Sequence, residues 1–431
     1  MKARELALRL LTELEERGGF SNLLLSDKVL KEAGADASFL TALFYGTVER
    51  RLTLDYLLST FAARDVSTVS PTARRILHLG LYQIFFMNIP RHAAVSETVS
   101  LSHLKSERGF VNAVLRAAAG AEEMPLPPRS RTAKHLSVKH SLPLDTVKRF
   151  LALLGEEETE ALLTYYNMTL PLTLRAIDRE TRDMLLSHFK DAGIKAEPTL
   201  YAPCGIRVLS SVPVTSLYGF HEGLFFVQDE ASQIATEALA PRAGDTVIDV
   251  CACPGGKTFG AALSAQKKGS FYAFDIHKSK LSLIESGASR LGISVTVAEC
   301  DATVGCDGLL GKADRVICDV PCSGLGVLGK KPDLRYRPIE DALPPLQYSI
   351  MCRAAAYLKK GGVMVYSTCT LLKEENEDNV ARFLAEHTDF CAEDFSVGEG
   401  KSVASKDGVL TLWPQRHGCD GFFIARLKKY R

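Results

Sequence analysis

Residues 246–258 read TVIDVCACPGGKT, an apolar run that reaches Asp249 and then turns sharply at Pro254-Gly255-Gly256. The order is strand, tight glycine turn, helix start. Side chains at such a turn would block a ligand's approach to the backbone, and the first turn of the helix that follows presents N–H groups to polar ligands. Four further β-like runs come downstream with helical segments between them: FYAFD at 271–275, SVTVA at 294–298, RVICDV at 315–320 and VMVYST at 363–368. This alternation predicts a mostly parallel, doubly wound α/β sheet. VLTLW at 409–413 and GFFIARL at 421–427 read as an antiparallel pair added at its edge. Ligands of such sheets sit beyond the carboxyl ends of the strands, so the residues that follow each apolar run matter most.

Upstream the pattern is different. Over residues 1–125 the apolar positions recur at helical spacing, as in Leu6, Leu10, Leu11 and Leu14, then Leu40, Leu43, Phe44, Val48 and Leu52. An all-α domain is expected there. Ser70-Pro71 reads as a cap followed by a first helical position, and Gly120 with MPLPP at 124–128 as a stop and linker. Residues 126–225 read as a linker and small α+β module, with a helical stretch from Asp145 to Asn167 and a β-like PLTLRAI at 171–177. Residues 226–431 hold the α/β domain. For 431 residues with 46% hydrophobic and 24% charged side chains, two or three soluble domains are the expected organisation.

Net charge is +5 over residues 1–140, −3 over 141–225 and −1 over 226–431. The basic third, with Arg50, Arg51, Arg74, Arg75, Arg91, Lys105, Arg108, Arg116, Arg129, Arg131, Lys134 and Lys139, fits contact with phosphates; a solvated helix face has the same composition. No run of 18 apolar residues occurs, and ILHLGLYQIFFM at 76–87 is interrupted by His78 and Gln83. The start alternates Arg with Glu and does not resemble a signal peptide, so a cytoplasmic protein is expected, without a membrane partner. All 11 cysteines lie from Cys204 onward with no Cys-x-x-Cys pair, so neither a disulfide framework nor a metal site is expected.

Three successive strands end near a carboxylate: Asp249, Asp275 and Asp301, with Asp275 placed 19 residues after Gly256. A carboxylate there accepts hydrogen bonds from ribose hydroxyls, so the turn and these acids read as a nucleoside site. Lys257 is placed either to meet a ligand's carboxylate or as a solvated first-turn lysine. Two thiols complete the pattern. Cys322 follows the run in ICDVPCSGLG at 317–326, beside Asp319, and Cys369 follows the run in VMVYSTCT at 363–370. Core cysteines sit within apolar runs, whereas these come after them, where a strand surfaces into a crevice. His417 and Asp420, before the final strand, are placed to touch a substrate, and Trp413 reads as packing.

The set DVCACPGGKT, AFDIHKSK, AECDAT, DVPCSGLG and YSTCT resembles the S-adenosylmethionine-dependent RNA 5-methylcytosine methyltransferases of the RsmB/Sun (Fmu) group. GFVNAVLR at 109–116, within a NusB-like helical domain, PLTLRAI, FVQDEAS at 226–232 and HGCDGFFIARL at 417–427 extend the resemblance over nearly the whole chain. It implies a Rossmann-like class I methyltransferase domain after the all-α and α+β parts. Cys251, Ala252, Cys253, Pro254, Gly255, Gly256, Lys257, Asp275, Asp301 and Asp319 would then contact S-adenosyl-L-methionine or the site around it. Cys253 departs from the family, which commonly shows another small residue, alanine.

The chemistry explains the thiols. Carbon 5 of cytosine is a weak nucleophile until a thiolate adds at carbon 6, and a carboxyl group can hold the nitrogen edge of the ring while charge forms. The residues alone leave open whether Cys322 or Cys369 attacks. The resemblance implies Cys369 as nucleophile, Cys322 as a helper in product release and Asp319 as a contact to cytosine or cofactor. It also implies 16S ribosomal RNA, before or early in subunit assembly, as the partner; a monomer is expected. A transfer RNA methyltransferase, or a non-catalytic NusB-like RNA-binding factor for assembly or antitermination, are the rival readings.

Overall fold

The computed structural model describes residues 2–17, 24–25, 27–398 and 400–431. The chain forms two compact units, Met1–Met168 with Leu328–Pro338, and Thr169–Val327 with Ile339–Arg431.

The first unit is helical, as the spacing predicts. Helices Lys2–Arg17, Ala37–Glu49, Arg51–Ala62, Pro71–Phe86, Arg91–Val99 and Lys105–Gly120 turn one face inward, burying Leu6, Leu10, Leu40, Phe44, Leu57, Ile76 and Leu115 in a single core. Each such side chain contributes about 1.5–3 kcal/mol by leaving water. Ser70 caps its helix by accepting the Ala73 N–H, with Pro71 in the first turn.

The expected end near residue 125 is not where the unit ends. The 121–128 segment is an extended connection, and helices Thr132–His140, Leu144–Leu154 and Glu156–Tyr166 belong to the same unit. The helical stretch expected from Asp145 to Asn167 is two helices, because Gly155 takes φ +78° and breaks the ladder. Leu328–Pro338, remote in sequence, completes the unit through buried hydrogen bonds. Arg335 donates to the Tyr166 carbonyl at 2.6 Å, Asn167 Oδ1 at 2.8 Å and the His140 carbonyl at 3.3 Å. The Tyr336 hydroxyl donates to the Glu49 carbonyl at 2.7 Å.

The second unit opens with a small antiparallel sheet of β1 (Leu172–Ala176), β2 (Ala196–Pro198), β3 (Gly205–Val208) and β4 (Phe225–Val227), in the order β2-β3-β1-β4. Leu185 and Phe189 of helix Arg179–Asp191 cover its Leu174, Ile206 and Phe225. Only this β-containing half of the expected 126–225 module therefore falls outside the helical unit.

The larger sheet contains β5 (Thr246–Asp249), β6 (Ser270–Asp275), β7 (Thr296–Glu299), β8 (Ala313–Asp319) and β9 (Leu358–Thr368), all parallel. Beyond them lie β10 (Phe390–Ala392), a separate hairpin of β11 (Ser396–Val397) and β12 (Val403–Ala404), then β13 (Val409–Leu412) and β14 (Phe422–Lys429). The order is β10-β14-β9-β8-β5-β6-β7, with β13 also paired to β14. The expected antiparallel pair is β13 and β14; β14 runs antiparallel to β9 as well, and β10 shares its far side.

Neighbouring strand residues face opposite layers. Val247 and Ile317 pack with Ile234, Phe259 and Ile284, while Ile248 and Val316 pack with Met351 and Phe383. This explains the continuous apolar runs: a sheet covered on both faces has no wet side. Strand order reverses between β5 and β8, which opens a crevice at their carboxyl ends.

Candidate active site

The turn after β5 is held by backbone geometry. The Ala252 N–H donates to the Phe274 carbonyl at 2.7 Å and the Gly255 N–H to the Ala252 carbonyl at 2.6 Å. Gly255 has φ +106°, and a Cβ there would stand 2.4 Å from the Phe259 ring, so any side chain would strain the turn and force a shift. Helix Gly256–Ser264 starts here without a side-chain cap.

The expected acids converge on this turn. Asp275 Oδ2 accepts the Cys253 N–H at 3.2 Å and Oδ1 the His277 N–H at 2.9 Å, tying the end of β6 to the turn. Asp301 lies exposed after β7, where the Thr303 hydroxyl and N–H hold its carboxyl below the usual range. Asp249 is buried; Thr258 donates to its Oδ2 at 2.6 Å, its Oδ1 has no protein partner, and burial pushes its pKa up to about 7. Cys251 lies within the field of Asp249, Asp319, Asp275 and Asp301, and burial together with those charges pushes its thiol far up, so it is no nucleophile.

These donors and acceptors fit a nucleoside-bearing cofactor. Carboxylates at successive strand ends are suited to accept from hydroxyl and amino donors, and the buried Gln228 amide, unpartnered within the protein, lies 3.5 Å from where a Cβ at Gly256 would stand.

Of its two expected positions, Lys257 does not take that of a solvated first-turn lysine. Its Nζ is 2.6 Å from Asp319 Oδ2, 3.4 Å from the Ser232 hydroxyl and 5.0 Å over the Phe422 ring. Ser367 donates to the other oxygen, Asp319 Oδ1, at 2.7 Å. Asp319 is thereby oriented at the end of β8 by a cation on one side and a hydroxyl on the other.

Cys322 and Cys369 come together. Their sulfurs are 3.2 Å apart, bridging the loops that follow adjacent parallel strands β8 and β9. The loops are laced by backbone bonds, Val320 N–H to the Ser367 carbonyl at 3.2 Å and Gly326 N–H to the Cys369 carbonyl at 2.8 Å. Gly326 admits no side chain, since a Cβ would lie 2.0 Å from the Gly421 carbonyl oxygen. The bond to Cys369, and then burial, hold the Cys322 thiol well above its ordinary pKa, which disfavours a thiolate on that sulfur; the contact itself permits either sulfur to donate.

Other residues fall elsewhere. His417 Nδ1 accepts the Trp413 N–H at 2.8 Å and closes the turn before β14, with burial lowering its pKa; Asp420 is buried, its N–H on Asp229. Among the basic residues of the helical unit, Arg75 is buried against Glu15 and Arg50 donates to the Lys139 carbonyl, whereas Lys105, Arg116, Arg129, Arg131 and Lys134 are exposed. Glu375 escapes sequence reasoning altogether, although it hydrogen-bonds the residue after each thiol; its run, Lys373-Glu374-Glu375-Asn376-Glu377-Asp378, looks like a solvated turn. Among the described residues there is no group of three or more His, Cys, Asp or Glu able to hold a metal ion, and no helix long and apolar enough to cross a membrane.

Comparison with known proteins identifies the family. The family model described as 16S rRNA methyltransferase RsmB/F matches residues 236–428, and that of the NusB family residues 1–120. A Synechocystis sp. protein named probable ribosomal RNA small subunit methyltransferase B is 35% identical over 444 residues, covering 100% of both chains. A Bacillus subtilis protein with the same name is 34% identical, covering 99% of this chain and 98% of its own. Among solved structures, the crystal structure of PH0851 superposes with a TM-score of 0.79 at 26% identity, covering 99% of this chain and 98% of that one.

Proposed function

The chain belongs to the RsmB/F family of ribosomal RNA methyltransferases, and from that premise we propose that it methylates carbon 5 of a cytosine in 16S ribosomal RNA through a transient cysteine–cytosine adduct. S-adenosylmethionine is the cofactor, and it supplies a methyl group made electrophilic by its sulfonium. The residues that would hold it are the 251–257 turn, Asp275 and Asp301.

The protein's own groups do the rest. Cys369 adds its sulfur to carbon 6 of the ring, which moves the electron pair of the 5,6 double bond onto carbon 5. Asp319, oriented by Lys257 and Ser367, accepts a hydrogen bond from the exocyclic amino group of the ring. After methylation a base removes the carbon 5 proton, the double bond re-forms, and the carbon–sulfur pair returns to Cys369. The Cys322 S–H, 3.2 Å away, stabilises the departing thiolate by donating to it. The exposed cations of the helical unit suit RNA phosphates, and the target base must be unpaired or flipped out to reach the crevice.

The observation that carries this reading is the sulfur contact beside Asp319 at the ends of β8 and β9. The test is methyl transfer from labelled donor to deproteinised 16S RNA, with mapping of the modified base. One 5-methylcytosine is the expected product. Label on another base, or on transfer RNA alone, overturns the proposal.

A further inference from the structure

Glu375 is 1% exposed, and its carboxylate meets only uncharged donors in the hydrogen bonds that define its setting. Oε2 accepts the Ser323 N–H at 3.0 Å and the Gln347 amide at 2.8 Å. Oε1 accepts the Ser323 hydroxyl at 2.6 Å and the Thr370 hydroxyl at 3.2 Å. Ser323 follows Cys322 directly, and Thr370 follows Cys369. One carboxylate thus grips both cysteine-bearing loops, one residue from each sulfur.

The grip is itself anchored. Tyr366 donates its hydroxyl to the Glu375 carbonyl at 2.6 Å, and the neighbouring Asn376 donates to the Thr370 carbonyl at 3.0 Å. Gln347 reaches the Pro321 carbonyl at 2.9 Å with the same nitrogen that holds Glu375. A buried carboxylate is costly to maintain, and a neutral amide could link two loops as well. A charge here has a second effect: it lies near enough to Cys322 to disfavour a thiolate on that sulfur.

We propose that Glu375 is a positioning residue for methyl transfer, its single carboxylate fixing the contact between the Cys322 and Cys369 sulfurs on which release of the methylated base depends. The proposal rests on the cysteine roles given above. It differs from a packing role because the charge, and not only the shape, of the side chain matters.

The experiment compares wild type with Glu375→Gln, Ser323→Ala and Cys322→Ala, each checked for folding by circular dichroism. Three quantities are read: kcat and KM for methyl transfer to 16S RNA, the amount of protein–RNA adduct surviving denaturing electrophoresis, and the pH profile of kcat. Glu375→Gln is expected to lower kcat about tenfold or more with little change in KM. It should also accumulate adduct and move the alkaline limb of the profile to lower pH, because Cys322 would lose its proton more easily. Ser323→Ala, which keeps the backbone bond to Glu375, should shift all three in the same direction by less; it decides the matter should Glu375→Gln not fold. Cys322→Ala is the control for the underlying mechanism. If Cys322→Ala traps no adduct, the cysteine roles fail. If it traps adduct while Glu375→Gln keeps the wild-type kcat, adduct level and profile, this proposal alone falls. A Glu375→Gln enzyme that is slow but shows neither adduct nor a moved profile reduces Glu375 to packing and also overturns it.

Discussion

At the scale of single residues, the proposed mechanism distinguishes the two sulfurs by proton, not by position. In the proposed mechanism Cys322 stays a thiol, its pKa raised by the bond to Cys369 and by burial, while Cys369 supplies the electron pair. Cys322→Ala is therefore expected to permit attack and impede departure, leaving a covalent RNA complex on a denaturing gel. Cys369→Ala should form none and lose methyl transfer by about 10³-fold or more. The reverse pattern would exchange the roles. Asp249 gives a second residue-level expectation. Burial raises its carboxyl to about 7 in the folded protein. From about pH 4, the ordinary carboxyl pKa, the unfolded chain has released this proton while the folded one keeps it until about pH 7. This group's contribution to stability thus falls as pH rises through that window and is level above it. Asp249→Asn removes the dependence. In denaturant titrations at pH 5 and pH 8, wild type should lose about 2 kcal/mol more than the variant between the two conditions.

At the scale of elements, the turn before helix Gly256–Ser264 makes the proposed cofactor site dependent on one glycine. Gly255→Ala would place a methyl group 2.4 Å from the Phe259 ring at φ +106°, so either the turn or the helix start must move. Strain of this kind costs about 1–3 kcal/mol. Calorimetry should show S-adenosylmethionine binding weakened about tenfold or more, and unchanged affinity would detach the cofactor from this turn. This turn was legible in the sequence because glycine spacing, apolar runs and strand-end acids are local signals. The five parallel strands and the positions of both cysteines were legible for the same reason. What escaped was non-local or disguised. The Lys257–Asp319 pair joins residues 62 apart, and Glu375 hides in an acidic run that only burial distinguishes from a solvated turn. The helical reading of 145–167 missed its break because periodicity continues past Gly155 while the backbone does not.

At the scale of the whole molecule, domain boundaries do not follow chain order. A Pro-rich stretch at 124–128 reads as a linker, yet the helices after it bury their apolar faces within the helical unit, and Leu328–Pro338 joins it from some 160 residues downstream. No local signal in LGKKPDLRYRP announces this. Its meaning lies in acceptors that only the folded helices bring together: the carbonyls of Glu49, His140 and Tyr166. Arg335 is 2% exposed, and four acceptors around a planar guanidinium, the Leu328 carbonyl among them, form a fork that lysine cannot replace. A fragment ending at Met168 should consequently be a weakened form of the unit. Each buried carbonyl left unpaired costs about 1–3 kcal/mol, and each kcal/mol lowers the melting temperature of a domain this size by about 2–4 °C. The expected result is that fragment 1–168 melts several degrees below the helical transition of the full chain. A peptide of residues 328–338 added in trans should raise its melting point, and the same peptide carrying Arg335→Lys should raise it less. A fragment that melts at the full-chain temperature and ignores the peptide would show that these hydrogen bonds decorate the helical unit without supporting it.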